Sequence, residues 1–133
     1  MGNRAVIALN EFSPDALGIY LHWNGGRDSI EGFLEAAKRI TRNDQSYGAA
    51  RLVQVITTFF AGGLSVGLDL QKNLDCDNYD NGVYVVDTST FEIIGREFRR
   101  NSEQAEYDVQ EFADEVTCKI EAANAATTDE DDD

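Results

Sequence analysis

Short runs of apolar residues along the chain predict five strands. The first two runs, residues 4–9 and 17–23, are separated by a turn that contains the only proline, Pro14, and so predict an antiparallel hairpin. The third, residues 64–69, alternates apolar with polar or small residues, as a half-buried strand does. Two more strands, rich in β-branched and aromatic residues, are predicted at residues 82–87 and 91–98.

Three segments instead carry apolar residues at helical spacing. Residues 28–41 show one apolar stripe, which predicts an amphipathic helix. Residues 47–61 are apolar around most of the helix circumference, so this second helix is expected to be centrally buried, with Phe59 and Phe60 in the core. Residues 101–124 predict a long C-terminal helix.

The resulting order, ββααβββα, predicts a single α+β domain over residues 1–124. The expected architecture is an antiparallel sheet of about five strands with two central helices and the long C-terminal helix. Residues 125–133, AATTDEDDD, contain no large apolar side chain and are predicted to form a disordered acidic tail.

Charge narrows the class of partner. The 133 residues contain 25 acidic and 11 basic side chains, and the net charge is −14. The tail holds five of the acids, so the remainder still carries −9. Such a surface repels phosphate backbones, which argues against direct nucleic-acid binding and favours a protein partner with a basic surface. Solubility alone is an equally simple reason for the charge, and a homo-oligomer stays open.

Neither a membrane segment nor a signal peptide is predicted. The most apolar stretch, residues 52–68, is interrupted by glycine and polar residues and is too short to span a bilayer. The first residues lack the apolar core of a signal peptide. With only two cysteines, Cys76 and Cys118, the expectation is a cytoplasmic protein with free thiols.

The best candidate for a binding site is the segment IYLHWNGGRDS at residues 19–29. A strand, a Gly-Gly turn and a helix start would place backbone N–H groups beside an arginine, which suits an anion. The predicted binding residues are Trp23, Asn24, Gly25, Gly26 and Arg27. The structural alternative is a glycine turn that leads into a helix capped by Asp28.

A second constellation is the loop DCDNYDNG at residues 75–82. Asp75, Asp77 and Asp80 are weak candidates for metal ligands, because hard cations prefer clustered oxygen ligands. The spacing fails the EF-hand register, and a tight turn explains the loop as well. No metal or cofactor is therefore predicted.

No catalytic residues are predicted either. His22 is the only histidine and has no serine or cysteine partner in a recognisable context. Cys76 and Cys118 both lie near carboxylates, which disfavour the reactive thiolate. The sequence therefore favours a non-enzymatic protein.

Several segments resemble small uncharacterised proteins carried by phages, prophages and other mobile elements. They are MGNRAVI at residues 1–7, YLHWNGGRDS at 20–29, FFAGGLS at 59–65, LDCDN at 74–78 and DNGVY at 80–84. The likeness covers residues 1–98 and omits the C-terminal helix and tail. It brings no established activity and no catalytic residues. It implies that the chain acts by binding, for instance as an inhibitor of a host defence system such as CRISPR.

The resulting prediction is a small acidic binding protein that contacts a basic host protein, such as a defence or nucleic-acid-handling enzyme, in the host cytoplasm. The first alternative is a binder of a nucleotide or another small anion at residues 23–27. The second is a divalent-metal-dependent enzyme that uses the loop at residues 75–80.

Overall fold

The computed structural model describes residues 3–40, 47–61, 63–78, 80–97 and 109–131. The strands are β1 (Ala5–Leu9), β2 (Leu17–Leu21), β3 (Val66–Leu70), β4 (Val83–Asp87) and β5 (Glu92–Glu97). The helices are α1 (Arg27–Ile40), α2 (Gly48–Phe59) and α3 (Val109–Asp131). The predicted α+β class and the element order ββααβββα are confirmed.

The five strands form one mixed sheet in the order β3-β2-β1-β4-β5. The prediction of a purely antiparallel sheet is wrong, because β1 and β4 are parallel, with Val6 opposite Val83. The other three pairings are antiparallel. Between β1 and β4 the chain forms β2, α1, α2 and β3, which is ample length for the crossover that parallel neighbours require.

All three helices contribute to one core on the same face of the sheet, which we call the helix face. Alternate residues of the central strands point there, and they pack with residues from each helix: Ala5, Ile7, Leu9, Ile19, Leu21, Tyr84 and Val86 with Ile30, Phe33, Leu52, Ile56 and Val116. Burial of this apolar surface is the main stabilising contribution to the fold.

The opposite face of the sheet, the open face, has a smaller core. Val6, Ala8, Val83 and Val85 are buried there against the half-buried Tyr20, Leu74 and Cys76. Leu74 and Cys76 belong to the segment between β3 and β4, so this loop covers the middle of the sheet. With both faces covered, β1 is a continuous apolar run, as buried central strands are.

Two elements are less buried than their sequence patterns indicate. Helix α2 packs one side on the core, while Phe59 and Phe60, both predicted to lie in the core, are half-buried. Strand β3 begins at Val66, and Leu64, predicted to be its first inward residue, is fully exposed. The exposure of Leu64 follows from its position, since β3 lies at the edge of the sheet.

The C-terminal helix also differs from its predicted extent. The structure assigns residues 125–131 to α3, where the sequence predicts a disordered tail. Alanines among these residues favour helical backbone. Residues 101–108, predicted to begin this helix, and residues 132–133 lie outside the described residues.

Candidate functional site

The turn at residues 23–26 connects β2 to α1 and is bonded to the middle of the sheet. Asn24 has a positive φ of 59°, in the left-handed region that asparagine tolerates. The Gly25 amide donates to the Asn3 carbonyl at 2.8 Å, and the Gly25 carbonyl accepts from the Tyr84 hydroxyl at 2.8 Å. A Cβ at position 25 would lie 2.5 Å from the Asn3 carbonyl oxygen, so only glycine fits there.

Polar groups of this turn already have partners within the chain. The Ser29 amide at the start of α1 donates to the Asp28 carboxylate at 2.8 Å, and the Ile30 amide donates to the Gly26 carbonyl at 3.0 Å. Arg27, the first residue of α1, pairs with Glu31 through a 3.2 Å contact. The Asp28 carboxylate thus accepts the hydrogen bond of the Ser29 amide, which a bound anion would otherwise accept. This geometry favours the structural interpretation of Gly25, Gly26 and Arg27.

Trp23 is instead an exposed side chain next to the half-buried rings of Tyr20 and His22. Its side chain is 46% exposed, and its ring meets the ring of His22 edge-on, with centroids 4.9 Å apart. The Tyr20 hydroxyl lies 3.0 Å from His22 Nδ1. Tyr20 is paired with Gly67 across the β2–β3 ladder. We call Tyr20, His22, Trp23, Leu64 and Gly67 the aromatic surface.

Tyr20, His22, Leu64 and Gly67 of the aromatic surface line a shallow depression of about 520 Å³, and Trp23 lies outside it. Gly67 lies opposite Tyr20 in the β2–β3 pairing and has no side chain that could pack against the Tyr20 ring. Leu64 forms part of the rim and is fully exposed. Partial burial raises the pKa of the Tyr20 phenol, so it stays a neutral hydrogen-bonding group at neutral pH. The site thus offers one exposed ring beside two half-buried rings that carry polar groups, a combination that suits contact with another protein.

Two of the three carboxylates considered as metal ligands form ion pairs with an arginine of the same chain. Arg4 Nε lies 2.9 Å from the Asp80 carboxylate, and Arg4 Nη1 lies 3.2 Å from Asp75. The Asp80 hydrogen bond raises the pKa of the Arg4 guanidinium. Asp77 is exposed. Among the described residues, no group of three or more histidine, cysteine, aspartate or glutamate side chains could hold a metal ion.

Two buried side-chain amides hold the loop between β3 and β4 in place, and the sequence pattern indicates neither of them. The Asn78 side chain is only 2% exposed; it donates to the carbonyls of Asp75 and Gly82 and accepts from the amides of Asn81 and Gly82. Only the density of Asp and Asn in the loop hinted at such bonding.

The second buried amide, Gln71, fixes the start of the same loop. Its Nε2 donates to the carbonyls of Glu11 and Leu17, and its Oε1 accepts from the Ser13 amide. Nothing in the local pattern distinguishes Gln71 from a surface residue, because its partners are about 55 residues or more away in sequence.

The thiols were predicted to be poor nucleophiles, and Cys76 fits that expectation. Partial burial, with the nearby carboxylates of Asp75 and Asp77, raises the pKa of the Cys76 thiol. Its Sγ lies 3.6 Å from the Gln71 carbonyl oxygen. Cys118 lies exposed on α3, and neither cysteine is in a disulfide.

Comparison with known proteins leaves the geometry as the main guide. No protein-family model, no curated protein and no solved structure matches the chain. In the part of the chain that the structure describes, no helix is both long enough and apolar enough to cross a bilayer.

Proposed function

We propose that this chain is a binding protein that docks on a basic surface of another protein through its aromatic surface. The observation that carries the proposal is the exposure of Trp23. Nearly half of the indole side chain is exposed. Exposed tryptophans and tyrosines are the residues that most often dominate the energy of protein interfaces.

The charge of the chain supports a basic partner. A net charge of −14 attracts a basic surface over a distance of about one Debye length and speeds the encounter. The aromatic rings can then stack against arginine side chains of that surface. Resemblance to phage and mobile-element proteins extends the proposal to an inhibitor of a host defence or nucleic-acid-handling protein in the host cytoplasm.

The test is affinity capture from a bacterial lysate with three immobilised proteins. They are the wild-type chain, Trp23→Ala and the control Phe12→Ala. Phe12 is as exposed as Trp23, at 51%, but it lines a different depression, beside Pro14 and Leu74. We expect a basic protein that is captured by the wild type and by Phe12→Ala and is lost with Trp23→Ala.

The same tryptophan supplies a direct readout. Trp23 is the only tryptophan of the chain, so its fluorescence reports occupancy of the aromatic surface. Addition of the captured protein should shift or quench this emission, and salt should reverse the effect because the attraction is electrostatic. Equal capture by Trp23→Ala and the wild type would contradict the proposal.

A further inference from the structure

The outer edge of β3 is the least protected part of the sheet. No described strand pairs with this edge. The opposite edge strand, β5, carries a bulge opposite β4 and has glutamates at both ends. Natural sheets use bulges and charges to prevent edge-to-edge pairing. Strand β3 has no bulge in its pairing with β2, and Asp69 is its only charged residue.

Apolar side chains line this edge on the helix face. Leu17 and Leu68 are 47% and 54% exposed. Val66, Leu68 and Leu70 lie on the same face as the buried Ile19 and Leu21, as the β2–β3 register shows. We call Leu17, Val66, Leu68 and Leu70 the β3 strip. It extends the core surface to the rim of the molecule.

The hydrogen-bonding pattern of β3 fixes which backbone groups point outward. The His22 amide donates to the Ser65 carbonyl, and the Gln71 amide donates to the Ala16 carbonyl. Odd-numbered residues of β3 therefore bond to β2, and Val66, Leu68 and Leu70 direct their N–H and C=O groups away from it.

We propose that two copies of this chain pair through β3, antiparallel, about a two-fold axis at Leu68. This axis brings the outward groups of the two strands into register, with Leu68 opposite Leu68 and Val66 opposite Leu70 of the second copy. All five residues of β3 then pair. The product is a continuous sheet of ten strands, five from each copy.

Side chains on both faces suit this register. On the helix face, the β3 strips of the two copies meet with only apolar side chains opposite one another. On the open face, each Asp69 lies opposite a Gly67, which leaves space for the carboxylate. An axis one residue further, at Asp69, would put two like charges directly opposite each other, which is destabilising.

One existing bond must be exchanged on pairing. The Leu70 amide donates to the Asp69 carboxylate at 2.6 Å in the single chain. In the dimer, this amide donates to the Val66 carbonyl of the second copy, and the Asp69 carboxylate keeps the hydrogen bond that the Asn73 side chain donates at 3.1 Å. The Asp69 carboxylate therefore competes with the second copy for the Leu70 amide.

The effect of salt on affinity distinguishes pairing between two copies from docking on a basic partner. Each copy carries −14, so the two copies repel each other while their apolar strips attract. Screening should strengthen the dimer, whereas it weakens contact with a basic protein. We expect the dimer Kd to fall about threefold or more between about 50 mM and about 500 mM NaCl, measured by sedimentation velocity.

Substitutions at the axis provide the structural test. Leu68→Glu and Leu68→Lys should each raise the dimer Kd at least about tenfold, because like charges would face each other at the axis. A mixture of the two variants should form a heterodimer. The matched control is Ile94→Glu on β5, where the side chain is 58% exposed, and it should dimerise as the wild type does. Circular dichroism checks that each variant is folded.

Three outcomes would overturn the proposal. The first is a wild-type chain that stays monomeric up to about 1 mM at high salt, since weaker association is not specific. The second is a dimer that survives Leu68→Glu. The third is a dimer that dissociates as salt is added. None of these bears on the capture by Trp23, so the two proposals can fail separately.

Discussion

Asn78 shows how much of the open face depends on one side chain. Its amide bonds to four backbone groups, which belong to Asp75, Asn81 and Gly82, and it is almost completely buried. These bonds hold the segment that contains Asp80, whose carboxylate pairs with Arg4 next to the start of β1. The position of this ion pair, at the end of a central strand, therefore depends on a neutral amide.

We expect Asn78→Ala to reduce the free energy of unfolding by about 2–4 kcal/mol, because buried backbone groups lose their partners. Chemical denaturation measures the change. Asn73→Ala is the control: Asn73 is exposed and makes one side-chain bond, to Asp69 at 3.1 Å. A loss at position 78 no larger than the loss at position 73 would show that the turn is stable without this amide.

Arg27 is expected to be tolerant of substitution. Its pair with Glu31 is partly exposed, and pairs of this kind contribute about 0–1 kcal/mol. Arg27→Ala should therefore leave both the stability and the capture of a partner nearly unchanged. A folded Arg27→Ala protein that no longer captures the partner would restore the predicted binding role of residues 24–27.

The thiol of Cys76 should react slowly with iodoacetamide. Its raised pKa lowers the thiolate fraction at about pH 8 relative to an ordinary thiol, and only the thiolate reacts. Mass spectrometry of the native and the unfolded chain compares the two rates at this position. The ratio should approach one as the pH rises above the raised pKa, and equal rates at about pH 8 would contradict the assigned environment.

At the scale of elements, four phenylalanines join the three helices. Phe33 of α1 is fully buried, and its ring centroid lies 5.4 Å from Phe59 and 5.3 Å from Phe112, both in edge-to-face contact. Phe60 completes the group at 6.2 Å from Phe33. Phe59 also contacts the other three rings, but only Phe33 is fully buried, so Phe33 lies deepest in this cluster.

Phe33→Ala should cost about 3–5 kcal/mol, the range for removing a buried phenylalanine. Phe59→Ala and Phe60→Ala should each cost less, about 1–3 kcal/mol, because both side chains are half-buried and their removal leaves a smaller cavity. Thermal and urea denaturation of the three variants gives the order of the losses in unfolding free energy. Equal losses at all three positions would support the central placement of α2 that its sequence indicates.

The elements themselves could be predicted because their signals are local. Alternation at Leu17, Ile19 and Leu21, or helical spacing at Ile30, Phe33 and Leu34, lies within one element. The parallel pairing of Val6 with Val83 has no local signal, since both strands read as apolar runs in either orientation. The same limit applies to Leu64, whose exposure depends on which strand forms the sheet edge.

The candidate site was predictable only in part, for the same reason. Trp23 is identified by its residue type in a turn, but the contacts that give Gly25 and Arg27 structural roles come from Asn3, Tyr84 and Glu31. Leu64 and Gly67 join Trp23 on the aromatic surface only because β3 pairs with β2.

Over the whole molecule, the densest run of charge is at the C-terminal end, where residues 129–133 are all acidic. The last buried side chain described in α3 is Ile120, and residues 121–123 are exposed. Removal of the residues after Asn124 reduces the net charge from −14 to −9. Such a truncation should change Tm by less than about 5 °C, roughly 1 kcal/mol.

Calorimetry at low and moderate salt tests this expectation. The full chain should gain more stability from added salt than the truncated chain, because its self-repulsion is larger. A truncated protein whose Tm falls by more than about 5 °C would show that the end of α3 contributes packing rather than charge alone.

The position of β1 between β2 and β4 also affects how the chain folds during its synthesis. A ribosome adds about 5–20 residues per second, so the roughly 75 residues that separate β1 from β4 take about 4–15 s to synthesise. During that interval β1 has one partner, and the edge that β4 will occupy is uncovered, with Val6 and Ala8 not yet buried. This is the period in which the nascent chain has the greatest need of chaperones.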